Sequence, residues 1–469
     1  MSKTTFGLII GTRGFFNPKL AEEGRKVLLE KLDDLGYGYV TLSEQDTQYG
    51  AVETVEDAQK CARLFRDNWE KIDGVIVALP NFGDEVGVVN TLEIAKLDVP
   101  VLIQASDDDL EKMDVDHRRD SFCGKLSVCN NLYQYGINFT GTGLHTCSLE
   151  SDEFTKDLDF FSRVCNVVKG ISTARLAQIG TRPGPFQTVR YSEKLLQDSG
   201  VTVIPVDLSE IIAKANALKE DKKVDDKVKE IKEYGSIPSS IKEESILKSA
   251  KLQIVIEDFM EENQCVAGAI QCWTSIQENY GCATCLPMSM LGEKGMPFAC
   301  ETDITGALTM YALNLASGEP SGYLDWNNNY ADDRDKCINI HCSNYPKSFV
   351  AGDLEISNLD ILGKSIGYDK CFGACKAQVA AGPMTFAKIS TDDSWGTVKA
   401  YFGEGEFTDD PVNTPGGKAV CKVEGLQRLM DFMCQNGFEH HVAMNRTHRA
   451  TILNEAFEKY LGWEVYWHK

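Results

Sequence analysis

Apolar and polar positions over the first hundred residues alternate in blocks that predict strands followed by amphipathic helices. Short apolar runs predict the strands, and the charged segments between them carry apolar residues at helical spacing. The predicted strands are TFGLII, YGYVTL, DGVIVALP and VPVLIQ. This alternation predicts βαβ units and a parallel sheet covered by helices on both faces.

The same pattern restarts after residue 172 and changes near residue 345. Strands predicted at ARLAQIG, VTVIPVDL and CVAGAIQCW indicate a second doubly wound, Rossmann-like domain. Beyond residue 345, short strand-like pieces separated by Gly and Pro favour an antiparallel β-barrel. The sequence therefore predicts an α/β protein with domains at residues 1–172, 173–345 and 346–469.

Composition and charge narrow the class of protein. A chain of 469 residues that is 43% hydrophobic and 25% charged is expected to form about two to four globular domains. The formal net charge of -22, without a cluster of Lys and Arg, argues against a nucleic-acid partner. The apolar run at the N-terminus is too short for a secretory signal, and no window reaches membrane-spanning length. We expect a cytoplasmic protein with neither nucleic-acid nor membrane partners.

The sixteen cysteines are spread through apolar segments, which favours reduced, mostly buried thiols over a disulfide framework. Cys282 and Cys285 form a CxxC pair, but no second CxxC completes a four-thiolate zinc site. Packing is therefore the favoured role of this pair, with metal binding or redox chemistry as the alternative.

Polar residues interrupt four predicted strand-to-helix junctions. Ligands of open α/β sheets bind at the carboxyl ends of strands, so the binding site is expected at these junctions. They are GTRGFF, PNFGDE, CWTSIQENYG and ACETDITGAL. Neither a GxGxxG motif between strand and helix nor a Walker loop is present, so no nucleotide cofactor is predicted.

Two carboxylates at these junctions, together with one of the seven histidines, suggest a metal site. Glu278, Asp303 and an imidazole suit a hard or borderline divalent ion such as Mn²⁺ or Mg²⁺. His440 and His441 are adjacent, and neighbouring residues on a strand face opposite sides. One of the two is therefore expected to bind the ion, and the other is expected to support the site. Each carboxylate also has a competing structural role. Glu278 could interact favourably with the start of a helix, and Asp303 could be the N-cap of the helix that follows it.

Taken together and in order, motifs along essentially the whole chain resemble the L-fucose isomerase and L-arabinose isomerase superfamily, in its shorter fucose-isomerase-like branch. Beyond the four junctions they are RRDSFCGKLSVCNNLYQYGI, GTRPGPF, DWNNNYADDRDKCINIHCSNYP, YFGEGEF and EHHVAM. The resemblance implies two N-terminal α/β domains and a C-terminal domain that contains a β-barrel. It also implies Mn²⁺ as cofactor, with Mg²⁺ or Co²⁺ as other candidate ions. Homo-oligomers, trimers or hexamers, with active sites between subunits are expected.

The resemblance further implies that Glu278, Asp303 and a histidine of EHHVAM hold the ion. His441 fits best as that histidine, and His440 is the alternative. Glu278 and Asp303 are also expected to carry the proton during catalysis, whereas Glu301 is expected to support the ligands. The residues expected to contact the sugar are Arg13, Phe82, Trp273, Trp326, His341 and His440, with Asp325 and Asn327 as further candidates.

The activity implied is that of a metal-dependent aldose–ketose isomerase of carbohydrate metabolism. Such an enzyme moves a proton between C1 and C2 of a five- or six-carbon sugar through an enediolate. The expected substrates include a 6-substituted or acidic hexose. Candidate cationic partners for an acidic group are Arg13, Arg182 and Arg446. The alternatives are a non-catalytic sugar-binding protein and a metal-dependent aldolase or dehydratase.

Overall fold

A computed structural model describes residues 3–469 of the chain. These residues divide into two compact units, and each has its own buried apolar core. The first unit comprises residues 3–169 with Glu455–Gly462, and the second comprises Gly170–Asn454 with Trp463–Lys469. None of the helices in the described residues has the length and hydropathy needed to cross a membrane.

The first unit contains a five-stranded parallel sheet in the order β2-β1-β3-β4-β5, with the doubly wound topology expected of repeated βαβ units. The strands are β1 (Thr5–Ile10), β2 (Gly38–Val40), β3 (Gly74–Leu79), β4 (Val101–Ala105) and β5 (Thr140–Gly141). The helices are α1 (Lys19–Asp34), α2 (Val55–Asp67), α3 (Glu85–Ala95), α4 (Ser121–Tyr135) and α5 (Asp152–Ser172). All residues of β3 and β4 are buried, as expected of parallel strands covered on both faces.

The second unit begins with a four-stranded parallel sheet in the order β7-β6-β8-β9. Its strands are β6 (Arg175–Ile179), β7 (Thr202–Val206), β8 (Ala267–Ile270) and β9 (Phe298–Ala299). Its helices are α6 (Glu193–Asp198), α7 (Leu208–Ala217), α8 (Lys222–Tyr234), α9 (Glu243–Glu262), α10 (Ser275–Asn279), α11 (Cys285–Glu293) and α12 (Ile304–Ser317). Helix α12 is buried over nearly its whole length because it carries apolar residues on every face.

A ten-stranded, mostly antiparallel sheet forms the rest of the second unit. Its main order is β10-β18-β15-β16-β17-β12-β11, while β14 and β19 add to it in parallel and β13 pairs with β14. The strands are β10 (Ser321–Asp325), β11 (Asn329–Tyr330), β12 (Asp333–His341), β13 (Glu355–Asn358), β14 (Phe372–Gln378), β15 (Gly382–Asp392), β16 (Thr397–Thr408), β17 (Gly417–Lys422), β18 (His441–Asn445) and β19 (Glu464–His468). The helices are α13 (Asp360–Ile366), α14 (Leu426–Gln435) and α15 (Ala450–Asn454).

The structure confirms the predicted class of secondary structure, with parallel strands in the N-terminal regions and an antiparallel sheet towards the C-terminus. Closure of that sheet into a barrel stays a prediction, as do the three domain boundaries. Strands β10 and β12 precede residue 345 yet share a sheet with the C-terminal strands. Residues expected in different domains are therefore brought together by hydrogen bonding between strands.

Candidate functional site

Glu301 lies in a tight turn that follows the last strand of the second parallel sheet. Both Glu301 and Thr302 adopt positive φ angles, 52° and 59°, which non-glycine residues rarely do. The Glu301 side chain is buried, and its Oε1 accepts a hydrogen bond of 2.9 Å from the Trp273 indole. Its Oε2 has no hydrogen-bond partner among residues 3–469. A strained turn thus holds a buried carboxylate with one oxygen unused.

Two imidazoles lie near this oxygen, and a second carboxylate lies near the same imidazoles; with Glu301 we call these three side chains the open cage. They are Asp325, His341 and His441. Glu301 Oε2 lies 3.7 Å from His341 Nε2 and 3.6 Å from His441 Nε2. Asp325 Oδ1 lies 3.6 and 3.8 Å from the same two nitrogens and also lacks a hydrogen-bond partner among the described residues.

Sheet register explains why the cage forms. Strands β10 and β18 are antiparallel, and Asp325 at the end of β10 is directly opposite His441 at the start of β18. His341 is the last residue of β12, and its ring packs edge-on against that of His441 at 5.4 Å between centroids. Two antiparallel strands and the end of a third therefore supply three of the four side chains.

The donor set of the open cage fits a divalent cation. Protein ligands lie about 2.0–2.6 Å from such ions, so atoms that share one ion are roughly 3–4 Å apart. The four contacts of 3.6–3.8 Å fall in this range. Burying two carboxylate oxygens without partners is costly unless something else binds them. Two carboxylates and two imidazoles suit Mn²⁺, Mg²⁺ or Co²⁺ more than a thiophilic ion.

Asp303 lies behind the cage, in a group that we call the anchor cluster (Asp303, Tyr323 and Lys388). Its Oδ1 accepts hydrogen bonds from Gly306 N at 2.8 Å and Thr305 Oγ1 at 3.0 Å, so it caps α12 as an N-cap residue. Its Oδ2 accepts from Lys388 Nζ at 2.7 Å and from the Tyr323 hydroxyl. Both oxygens of Asp303 are therefore already paired.

Asp303 Oδ2 also lies 3.0 Å from His441 Nδ1. A proton on Nδ1 donates to this carboxylate and leaves Nε2 of His441 free to face the open cage. Histidine ligands of metal ions are commonly oriented in this way by a carboxylate on the other ring nitrogen. The anchor cluster thus fixes both the ring orientation and the tautomer of His441.

Opposing electrostatic effects act on the two neighbouring carboxyls. Burial alone would raise the pKa of Asp303, but the Lys388 ammonium and His441 hold it well below its ordinary value. Burial raises the pKa of Glu301, and the nearby Cys342 adds to this effect, whereas His341 and His441 act in the opposite direction. Asp303 is therefore a firmly ionised structural group, while Glu301 lacks such a fixed countercharge.

Aromatic side chains border the open cage. The Phe186 ring lies 5.4 Å from the Trp273 ring, 5.8 Å from that of His440 and 6.2 Å from that of His441. His440 also belongs, with Asp325 and His441, to a second group of ligand atoms within 4.8 Å of one another. Trp273 and His440, both expected to contact the sugar, thus lie beside the cage.

Other expected site residues lie elsewhere. Glu278 is exposed on the short helix α10 and joins none of the potential metal-binding groups among the described residues. Trp326 is buried in the core of the antiparallel sheet, where its indole donates to the Tyr401 hydroxyl. The assignment of Glu278 and Asp303 to the ion and of Trp326 to the sugar stays a prediction.

Arg13 and Phe82 belong to the first unit, where they contact each other. The Arg13 guanidinium lies 4.5 Å from the centroid of the Phe82 ring, and its Nε donates to the Phe82 carbonyl oxygen at 3.3 Å. Its terminal nitrogen forms ion pairs with Asp84 and Glu85. Their role at a sugar site stays a prediction.

No ligand role was predicted for Glu301 or Asp325, and neither Lys388 nor Tyr323 was singled out. The signal that could have identified Lys388 is that a lone lysine inside the apolar strand segment MTFAKIS needs a buried countercharge. Asp325 ends a strand, as Asp303 follows one, and only the pairing of β10 with β18 brings it to His441.

Comparison with known proteins adds independent information. Residues 7–172 match the fucose/sulfoquinovose isomerase N-terminal domain, and residues 339–468 match the L-fucose isomerase C-terminal domain. A sulfoquinovose isomerase of Alkalicoccus urumqiensis is 24% identical over 284 residues, which is 60% of this chain and 62% of that protein. Sulfoquinovose isomerases of Priestia aryabhattai (22% over 289 residues) and of Clostridium sp. strain MSTE9 (24% over 297 residues) are similar over 60% and 62% of this chain.

The aligned segments span less than two thirds of these relatives, between 61% and 64% of their lengths. The N-terminal domain model matches the first part of the chain, and the C-terminal domain model matches the last part. With the motifs that run between them, they show that this chain belongs to the fucose isomerase-like family.

Proposed function

We propose that the protein is a metal-dependent aldose–ketose isomerase whose cation is held by the open cage. The observation that carries this proposal is the pair of unpartnered carboxylate oxygens, Glu301 Oε2 and Asp325 Oδ1, that face two imidazole Nε2 atoms. Family membership and the names of the relatives support the reaction class.

Glu301, Asp325, His341 and His441 would hold the cation, which would supply a Lewis acid for the negative charge that develops on the sugar. The chain's own residues position and protect the reaction. Phe186 and Trp273 shield one side of the cage from water, and the Trp273 indole fixes the orientation of Glu301. The anchor cluster holds His441 in the tautomer that the cage needs.

We assign the proton transfer between C2 and C1 to the carboxylate of Glu278. This group is exposed and lies five residues after Trp273, in the same strand-to-helix junction. A base that acts on the sugar must be accessible and need not be a ligand, and contacts of catalytic groups often tighten only when substrate binds. The proton taken from one carbon is returned to the other on the same face, so one carboxylate suffices.

We propose a sulfonated hexose as the substrate, because the similar proteins are sulfoquinovose isomerases. A cavity of about 1240 Å³ in the second unit is lined by Thr302 and Glu439, which adjoin Glu301 and His440 in the chain. Arg182 also lines this cavity and shares a loop with Phe186. A guanidinium suits bidentate binding of an anionic oxygen group, so we assign the sulfonate contact to Arg182.

We also propose that the chain works as a homo-oligomer, with Arg13 and Phe82 of one subunit near the sugar site of another. The exposed Phe15 and the guanidinium–aromatic contact of Arg13 with Phe82 support an interaction surface on this loop. Sedimentation velocity of the wild-type protein and of Phe15→Ser tests the proposed oligomer, which this substitution should weaken. A monomeric wild-type protein with full turnover would contradict the proposal.

The function is tested by measuring ketose formation from a panel of neutral and sulfonated aldoses. Metal-stripped protein is assayed with and without Mn²⁺, beside Glu278→Gln, Arg182→Gln and the matched exposed control Glu261→Gln. We expect turnover only with added metal. Glu278→Gln should keep the Mn²⁺ affinity within about threefold and lower kcat by roughly 10²-fold or more. Arg182→Gln should raise KM for the sulfonated sugar alone.

The alternatives give different results. Tight sugar binding without product and without an effect of chelation would support a sugar-binding protein, whereas cleaved or dehydrated products would support an aldolase or dehydratase. Loss of Mn²⁺ binding in Glu278→Gln would return Glu278 to the ligand set.

A further inference from the structure

Four cysteines from separate segments meet directly beside the open cage. They are Cys272 after β8, Cys285 at the start of α11, Cys300 after β9 and Cys342 after β12, and we call them the thiol cluster. Potential ligand atoms of Cys300, His341 and Cys342 lie within 4.8 Å of one another, as do those of Cys272, Cys300 and Glu301, and the sulfurs of Cys300 and Cys342 are 3.9 Å apart. Cys285 belongs to neither group and borders Cys342 at the edge of the cluster. All sixteen cysteines are free thiols, as the sequence predicted.

Polar groups point at the sulfurs of this cluster. The Glu301 backbone N–H donates to Cys272 Sγ at 3.4 Å, and Asn344 Nδ2 donates to Cys300 Sγ at 3.8 Å. His341 Nδ1 lies 3.6 Å from Cys300 Sγ and 3.7 Å from Cys342 Sγ. Neutral thiols in an apolar core do not require such groups, whereas metal-bound sulfurs are characteristically hydrogen-bonded.

We propose that the thiol cluster is a second cation site, distinct from the open cage, which binds one thiophilic d¹⁰ cation such as Zn²⁺. Soft sulfur ligands select such ions, and cysteine sulfurs combined with one imidazole nitrogen, here Cys300, Cys342 and His341 Nδ1, are typical zinc donors. The carboxylates and imidazole Nε2 atoms of the cage instead suit harder ions.

The two sites share one residue, since His341 faces the cage through Nε2 and the thiol cluster through Nδ1. A cation in the cluster would therefore fix the orientation of His341 from the side opposite to the cage. Cys282, the CxxC partner of Cys285, joins none of the groups of potential ligand atoms among the described residues. Cys282 is thus a control: a buried free thiol outside the proposed site.

The test is a Cd²⁺ titration of the full, Mn²⁺-loaded chain, followed by the ultraviolet thiolate-to-cadmium charge-transfer absorbance. The exposed Cys123 and Cys434 are first replaced by serine so that they do not contribute. We expect the band to saturate at one Cd²⁺ per chain, with release of thiol protons. Cys342→Ser should weaken Cd²⁺ binding by about tenfold or more, and Cys282→Ser should leave it unchanged.

Retention of the wild-type circular dichroism spectrum by Cys342→Ser shows that the variant is folded, so loss of the band then reports the cluster itself. The proposal is overturned by the absence of a charge-transfer band, by an equal band in Cys342→Ser, or by an equal loss in Cys282→Ser. The test does not depend on turnover, so a failure of the isomerase proposal leaves its outcome readable.

Discussion

The open cage and the anchor cluster are adjacent groups of buried polar side chains that differ in how their atoms are satisfied. In the anchor cluster, both oxygens of Asp303 accept hydrogen bonds, and one of them is paired with the buried Lys388 ammonium. In the open cage, Glu301 and Asp325 each present an oxygen with no partner among the described residues.

From this difference we infer that Asp303 has a structural role and that Glu301 and Asp325 bind a ligand. A paired buried charge stabilises its own surroundings, and breaking the pair destabilises the fold. An unpaired one costs folding free energy and persists where it serves a ligand. Substitutions in the cage should therefore affect binding and turnover, and substitutions in the anchor cluster should affect stability first.

The largest effect is expected from Glu301→Gln. The amide keeps the Trp273 contact through its oxygen but removes the charge from the cage, so turnover should fall roughly 10³-fold or more. The unfolding midpoint of the metal-free protein should stay the same or rise, because an unpaired buried charge is lost. Calorimetry on metal-stripped protein measures the unfolding midpoint, and kinetics with Mn²⁺ measure turnover. A strongly lowered midpoint would place Glu301 among the structural groups.

Lys388→Met should destabilise the fold by about 3–5 kcal/mol, because Asp303 is left as a buried charge without its partner. Urea denaturation of the metal-free protein measures this change. Lys336→Met is the control, since its pair with Asp410 is more exposed, and exposed ion pairs contribute little to stability. Equal losses in the two variants contradict the distinction.

Asp303→Asn should weaken Mn²⁺ binding by about 10–100-fold through His441, whose Nδ1 loses its carboxylate partner. Isothermal titration measures the affinity. The double variant Asp303→Asn/Lys388→Met removes the unpaired ammonium and should recover stability without recovering the affinity. If the double variant binds Mn²⁺ as tightly as wild type, Asp303 does not position His441.

The smallest effect is expected from Trp273→Phe, which removes the hydrogen-bond donor to Glu301 Oε1 but keeps an aromatic ring against Phe186. Loss of one such bond is worth about 1 kcal/mol, or roughly fivefold in Mn²⁺ affinity. Titration with Mn²⁺ checks this value. An unchanged affinity would show that the strained turn alone fixes Glu301.

Residue types at strand ends predicted only part of the candidate site. His441 and His341 stood out because histidine is scarce, and Asp303 because it follows a buried strand. The proposed division of roles between Glu301 and Asp303 was not predictable, since the two carboxylates are two residues apart and only their contacts distinguish them. Cys285 shows the same limit: the sequence pairs it with Cys282, whereas the structure places it beside the distant Cys342.

The sequence by itself determined the alternation of strands and helices, the change to an antiparallel sheet and the family, because local periodicity and motif order are properties of the linear chain. The tertiary structure alone decided which polar atoms remain unpaired. Asp325 meets His441 through strand register, and Lys388 reaches Asp303 across 85 residues of sequence. Hydrogen-bond satisfaction depends on such long-range contacts, and it is the basis on which we propose Glu301 and Asp325 as metal ligands.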